Sequence, residues 1–221
     1  MRLPGKVLYR VNGKPMLEYL LERVDQCTSV DAVVVATSTD QTDDPVERYC
    51  RSRERKCFRG SSENVASRFK DVVDRYRSDA FVRVSGDSPL LDPGLVDRAV
   101  GIFLQGGLDL VTNVFPRSYP RGQSVEVVRT ETFRRVFDDG WSNDEAQHVT
   151  PFFYRRQEAF RIVNFCADAD YSGIHLAVDT APDMERFAAI VEAMEKPQWQ
   201  YGLAEVLEIY KTVSSRPRSS T

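Results

Sequence analysis

Ala80-Phe81-Val82-Arg83-Val84-Ser85-Gly86-Asp87-Ser88-Pro89 is the stretch that decides the fold. An apolar, β-branched run breaks into a Gly-Asp-x-Pro turn, and Asp92-Pro93-Gly94 then opens a helix carrying Leu95, Val96, Ala99, Val100 and Phe103. A short buried strand, a turn bearing a carboxylate and a helix make one α/β unit. The alternation repeats on either side. Met16 to Val24 sets Met16, Leu17, Leu20, Leu21 and Val24 on one helical face, Asp44-Pro45 opens a short helix, and Ser62 to Tyr76 is amphipathic. Ala32 to Ala36, Lys56 to Phe58, Leu108 to Thr112, Val125 to Val128, Phe160 to Phe165 and Ile174 to Val178 read as strands. Pro182 to Ala193 and Leu203 to Val213 read as the last helices. The order predicts an α/β fold with a mainly parallel, Rossmann-like sheet, helices on both faces, and a ligand crevice beyond the carboxyl ends of the strands. A single domain over residues 1–213 and a disordered tail over 214–221 complete this expectation.

The 221 residues carry 30 Lys and Arg against 33 Asp and Glu, a net charge of −3, so no overall field gathers nucleic acid or anionic membrane. At 42% hydrophobic residues the chain has enough apolar surface for a stable core, which excludes disorder. The four cysteines, Cys27, Cys50, Cys57 and Cys166, show no C-x-x-C spacing and argue against a zinc site or a disulfide framework. Reduced thiols, the lack of an apolar run long enough to span a bilayer, and a start without a signal peptide predict a soluble cytoplasmic protein.

Function must then reside in particular residues. Arg2-Leu3-Pro4-Gly5-Lys6 puts two cations around a Pro-Gly turn, a geometry suited to a polyphosphate because glycine lets backbone N–H groups approach and lysine supplies a point charge. Asp87 and Asp179 each follow an apolar run directly. Two carboxylates at neighbouring strand ends suit one hard cation such as Mg²⁺, although aspartate is also an ordinary turn former and helix cap there. His148 and His175 are the two histidines, and a lone histidine is more often a satisfied structural residue than a ligand. The basic run Arg48, Arg51, Arg53, Arg55, Lys56 and Arg59 lacks interleaved aromatics and reads as a solvated face rather than a nucleic-acid groove.

Arg2-Leu3-Pro4-Gly5-Lys6, Gly13-Lys14-Pro15-Met16, Val33-Val34-Val35-Ala36-Thr37, Arg59-Gly60-Ser61, Gly86-Asp87-Ser88-Pro89-Leu90, Pro120-Arg121-Gly122, His148-Val149-Thr150-Pro151 and Val178-Asp179-Thr180 follow one another in the order of one family. The chain resembles the spore coat polysaccharide branch of the cytidylyltransferases, relatives of the enzymes that activate 3-deoxy-manno-octulosonate and acylneuraminate with CTP. The resemblance implies a nucleotide-diphospho-sugar transferase-like fold and the reaction of CTP with a sugar or sugar acid to give CMP-sugar and pyrophosphate. It implies Arg2 and Lys6 at the phosphates, Ser61, Arg68, Ser85 and Gly86 around the nucleotide, Asp87 and Asp179 on Mg²⁺, and Arg121, Glu126 and His148 facing the sugar. CTP and the sugar are the implied partners, with a homodimer as an option.

The departures carry expectations as well. Such proteins begin with an apolar strand and an Ala-Arg-x-Gly-Ser segment ahead of the Arg-Leu-Pro-Gly-Lys motif, where this chain has Met1. The expected sheet therefore lacks its first, central strand, through a start further upstream or an incomplete product. Gln147, Ser124 and His175-Leu176 stand where relatives usually have Glu, Asp and Arg-Trp. Two alternatives follow: a non-catalytic relative that binds nucleotide or a partner enzyme, and, ranked lower, a glycosyltransferase on the same fold, whose Asp-x-Asp motif would follow a strand, whereas Asp168-Ala169-Asp170 precedes one.

Overall fold

Pro15 fixes the backbone ahead of the apolar run Met16 to Val24, and the helix there has the span that its periodicity predicts. The computed structural model describes residues 5–215. In chain order its elements are β1 (Arg10–Val11), β2 (Lys14–Pro15), α1 (Met16–Val24), β3 (Val34–Ser38), α2 (Asp44–Ser52), β4 (Lys56–Gly60), α3 (Val65–Tyr76), β5 (Ala80–Arg83), α4 (Pro93–Leu104), β6 (Leu110–Thr112), β7 (Glu126–Arg129), α5 (Thr130–Val136), α6 (Asn143–His148), α7 (Pro151–Tyr154), β8 (Ile162–Asn164), α8 (Ala181–Glu192) and α9 (Leu203–Ser214). Caps set several boundaries. Asn64 accepts from the Ser67 N–H at 2.8 Å to start α3, Asp92 accepts from the Gly94 N–H at 2.8 Å with Pro93 in the first turn of α4, and Thr180 and Asp183 cap α8 reciprocally.

The α/β class holds, and the sheet is mixed rather than mainly parallel. β3 pairs with β4 in parallel; a separate four-stranded sheet runs β5-β7-β6-β8, parallel between β6 and β8 but antiparallel on both sides of β7. An apolar strand pattern is blind to direction. The reversal comes from the loop between β6 and β7, which buried Asn113 and Gln123 tie down. Asn113 Nδ2 donates to the Gln123 carbonyl at 2.7 Å, and Gln123 Nε2 donates to the Leu90 carbonyl at 2.7 Å. The chain is thereby turned back between β5 and β6, with Val127 opposite both Val82 and Val111.

Among the described residues no strand joins the β3–β4 pair to the four-stranded sheet. β5 and most of β3 are half-buried, whereas β6 is buried throughout. Helices bridge the two sheets. On one face α1 sends Leu17 and Leu21 toward Val35 and Cys57, and Leu20 and Val24 toward Val82 and Val84. Phe81 points to the opposite face, as strand alternation requires, and meets Phe69 of α3 with ring centroids 5.5 Å apart.

Two other expectations change. Ile174 to Val178 forms no regular strand: Arg121 pairs with His175 through an isolated bridge, and the segment is held by the Arg121 and Asp87 carbonyls instead of by a ladder. Ser214 is the last residue of α9, where the tail is expected to start; residues 216–221 of that expected tail lie outside the described residues. Among the described residues no helix is long and apolar enough to cross a membrane.

One buried carboxylate makes stability depend on pH. Glu145, 2% exposed, completes a capping box with Ser142 and accepts from Arg156 Nη1 at 2.6 Å. The Arg156 guanidinium and the Ser142 cap, against the opposing effect of burial, hold its pKa at about 2, below the ordinary 4.5. A depressed carboxylate stabilises the fold above its unfolded pKa and loses that contribution as pH falls from 4.5 toward about 2. Because the guanidinium heads are half-exposed, the expected contribution is about 1–2 kcal/mol. Glu145→Gln should flatten this limb of the stability-versus-pH curve in urea unfolding; an unchanged limb would contradict the assignment.

Candidate nucleotide site

Gly5 takes φ 66° at the head of a 3₁₀ turn, Lys6–Leu8, a left-handed conformation that glycine adopts without strain. That turn aims Lys6 at two acids from distant parts of the chain. Its Nζ donates to Asp87 Oδ2 at 3.3 Å and to Asp179 Oδ1 at 2.8 Å. Asp87 is positioned by the turn after β5, where its carbonyl accepts from the Val178 N–H at 2.8 Å. Asp179 is positioned by the start of α8: Asp183 accepts from the N–H groups of Asp179 and Thr180. Two carboxylates that touch one ammonium lie inside the separation of roughly 8 Å that a shared cation sets as an upper bound. Among the described residues no group of three or more His, Cys, Asp or Glu side chains is gathered for a metal ion. A pair of carboxylates still fits magnesium, which takes one or two and completes its octahedron with water and phosphate oxygens. Arg2 lies outside the described residues.

The other nucleotide candidates fall into two places. Ser85 and Gly86 stand beside Asp87, and a Cβ at Gly86 would lie 3.7 Å from Val7 next to Lys6. Ser61 and Arg68 meet at the end of β4, where Arg68 Nη1 donates to the Ser61 carbonyl at 3.3 Å. The Arg68 Nε is buried without a hydrogen-bond partner, and burial lowers the guanidinium's pKa against the opposing pull of Asp43. A buried N–H without a protein acceptor is open to a water or a ligand oxygen.

The sugar candidates separate. Arg121 is exposed on a loop that packs against the segment leading to Asp179; a Cβ at neighbouring Gly122, which has φ 94°, would lie 2.5 Å from the Ala177 nitrogen, so only glycine allows this approach. Glu126 does not face open space. It is 2% exposed, with Arg83 Nη1 2.6 Å from Oε2 and the Tyr154 hydroxyl donating to Oε1 at 2.5 Å. The cause is register: Glu126 lies opposite Arg83 across the β5–β7 ladder. Burial and the adjacent Glu126 carboxylate raise the Tyr154 phenol above its ordinary range, so it remains a donor. His148 stands apart, exposed on α6, with Asp144 of the same helix 3.8 Å away. Gln147 beside it reaches the Glu63 carbonyl at 3.4 Å.

The structure adds Arg117, which sequence reading missed. Its guanidinium donates to Ser124 Oγ at 3.0 Å and to the Pro120 carbonyl at 3.4 Å, and has no salt-bridge partner among the described residues. Burial, then the neighbouring Arg121 charge, lower its pKa. The available signal was the two arginines flanking Ser118-Tyr119-Pro120. His175 sets Nε2 3.7 Å from Asp179 Oδ2.

A family model for cytidylyltransferases matches residues 1–210. The spore coat polysaccharide biosynthesis protein SpsF of Bacillus subtilis (strain 168) is 30% identical over 204 residues, spanning 89% of this chain and 84% of that protein. A cytidylyltransferase structure from Leptospira borgpetersenii serovar Hardjo-bovis (strain JB197) superposes with a TM-score of 0.92 at 27% identity, over 100% of this chain and 93% of that one. The structure of CMP:2-keto-3-deoxy-manno-octonic acid synthetase complexed with CTP superposes with a TM-score of 0.67 at 21% identity, over 86% of this chain and 93% of that chain, a likeness of fold. The fold is thus that of the nucleotide-diphospho-sugar transferases. With the family match running almost from end to end, the chain belongs to the cytidylyltransferase family.

Proposed function

We propose that the protein transfers a cytidylyl group from CTP to a hydroxyl of a sugar or sugar acid, forming CMP-sugar and pyrophosphate for glycan synthesis. The convergence of Lys6 with Asp87 and Asp179 carries this reading. The sugar hydroxyl oxygen attacks the α-phosphorus in line and gives its proton to solvent, the bond from that phosphorus to the bridging oxygen breaks, and pyrophosphate leaves without a covalent enzyme intermediate. Such chemistry needs positioning and neutralisation of charge more than bond-making by side chains. Asp87 and Asp179 would hold Mg²⁺, which supplies positive charge at the phosphates when bound. Lys6, released from the carboxylates, supplies a second cation, and Arg2 a third. Ser61, Arg68, Ser85 and Gly86 line the nucleotide, with the free Arg68 Nε as a donor to it. Arg121, joined by Arg117, faces the sugar, and their charges, without salt-bridge partners among the described residues, favour an acid. Glu126 takes a supporting role through Arg83 and Tyr154.

The experiment is pyrophosphate release from CTP and Mg²⁺ against a panel of sugar acids that includes 3-deoxy-manno-octulosonate and acylneuraminate. Release with at least one acid, and none without acceptor, is the expected result. CTP binding without release across the panel would favour a non-catalytic nucleotide-binding relative, and failure to bind CTP would contradict both.

A further inference from the structure

Phe115 is an exposed aromatic, 38% accessible, just past the carboxyl end of β6. Glu126 pairs with both Arg83 and Thr112, so β5 and β6 end level, and Ser85, Gly86 and Asp87 leave the sheet at this same end. The Phe115 ring stacks on Tyr154 of α7, with centroids 4.6 Å apart and the planes 14° from parallel. Tyr154 covers one face and the other is open. The backing is fixed: the Tyr154 hydroxyl donates to Glu126 Oε1 and accepts from Thr112 Oγ1 at 2.8 Å, and Arg83 holds the second Glu126 oxygen. Asn164 of β8 ties the turn down, accepting from the Phe115 N–H at 2.9 Å and donating to the Pro116 carbonyl at 3.1 Å. Arg117 pairs with Val114 across that turn. Ser124 and the Pro120 carbonyl take one N–H from each terminal nitrogen of its guanidinium, which leaves Nε–H and a second N–H on each without an acceptor among the described residues.

We propose that Phe115 and Arg117 select the acceptor: a pyranose acid stacks its apolar C–H face on the open face of Phe115 and places its carboxylate on Arg117. This subsite serves the cytidylyl transfer proposed above and rests on it. A sugar ring turns hydroxyls outward at its edge and C–H groups along its faces, and a flat aromatic surface takes that apolar area out of water. A half-buried guanidinium without a counter-ion favours a planar carboxylate, which two parallel N–H groups can grip; a neutral sugar would cover it and supply no opposing charge. Tyr154 and Glu126 act through Phe115, as positioning residues. The place in the fold suits the reaction. The same loop continues to Arg121, whose N–H donates to the Ile174 carbonyl at 3.0 Å and whose carbonyl accepts from the Leu176 N–H at 2.8 Å, in the segment that leads to Asp179. An acceptor held on this loop is therefore presented beside Asp179 and the phosphates proposed there.

The test measures binding of 3-deoxy-manno-octulosonate, acylneuraminate and their carboxamides by saturation-transfer NMR titration, with Mg²⁺ and α,β-methylene-CTP filling the nucleotide site without turnover. The native chain should bind at least one acid about 10–100-fold more tightly than its amide, the worth of a charge-assisted pair. Phe115→Ala should weaken acid and amide alike, by about tenfold, and Phe115→Tyr should restore both. Arg117→Met should weaken the acid alone and abolish the preference, a split that general damage to the loop would not produce. Leu104→Ala, which removes an apolar side chain 73% exposed ahead of β6 at the opposite end of the sheet, should change neither. The proposal fails if no acid of the panel binds, if the native chain prefers no acid over its amide, or if either Phe115→Ala or Arg117→Met binds as the native chain does. Pyrophosphate release from CTP, assayed separately, keeps this subsite apart from the transfer itself. Acid binding that depends on both residues without release contradicts cytidylyl transfer and supports the subsite, and release unaffected by either substitution does the reverse.

Discussion

Lys6→Ala is expected to lower pyrophosphate release by about 10²–10³-fold with whichever sugar acid supports turnover, the loss typical of removing one preorganised charge-stabilising donor. Lys6 is placed to be more than a structural ion. Its side chain is 21% exposed, so the ammonium is desolvated enough to act strongly on a phosphate yet open to one. Removing it leaves Asp87 and Asp179 facing each other without a counter-ion. Divalent cation alone should then raise the melting temperature of Lys6→Ala more than that of the native chain, because the ammonium no longer competes for the carboxylates. Asp87→Asn and Asp179→Asn should each abolish that cation-induced shift. Release at the native rate from Lys6→Ala, or an equal cation response in all four proteins, would overturn the assignment.

Arg23→Met should be the most destabilising single substitution considered, by about 3–5 kcal/mol, or a drop in melting temperature on the order of 10 °C. Arg23 is 0% exposed. Its guanidinium donates to the Leu91 carbonyl at 2.7 Å, to the Tyr201 carbonyl at 2.6 Å and to the Gln198 carbonyl, so one side chain joins α1 to the turn before α4 and to the turn before α9. Burial lowers its pKa to about 10, with Asp92 opposing, and it stays charged at neutral pH. Methionine fills the volume but leaves the Leu91 and Tyr201 carbonyls without donors, and the Gln198 carbonyl with only the Tyr201 N–H at 3.4 Å. Arg23→Lys keeps the charge without the planar fork and should fall between the two. A melting temperature for Arg23→Met within about 2 °C of the native value would show that water replaces the fork.

Local patterns were legible in the sequence because their causes are local. The apolar spacing from Met16 to Val24 defines a helix wherever it folds, Asp92-Pro93 starts one, and Gly5 admits the left-handed φ that opens the Lys6–Leu8 turn. The ordered motifs carried the family in the same way. Contacts across the chain were not legible, because they depend on register and direction. Lys6 meets Asp87 and Asp179 from sequence separations of 81 and 173 residues, and only the folded sheet and the start of α8 bring them together. Glu126 has the residue type of a sugar ligand, but pairing with Arg83 across a strand that runs in reverse buries it. Arg23 sits in a helix pattern that assigns it to solvent, and the carbonyls of Leu91, Gln198 and Tyr201 draw it inside. Backbone propensity and side-chain chemistry are properties of a few neighbouring residues and were readable there. Burial, pairing and the company a charge keeps are properties of surfaces assembled from distant segments, and the tertiary structure alone decided them.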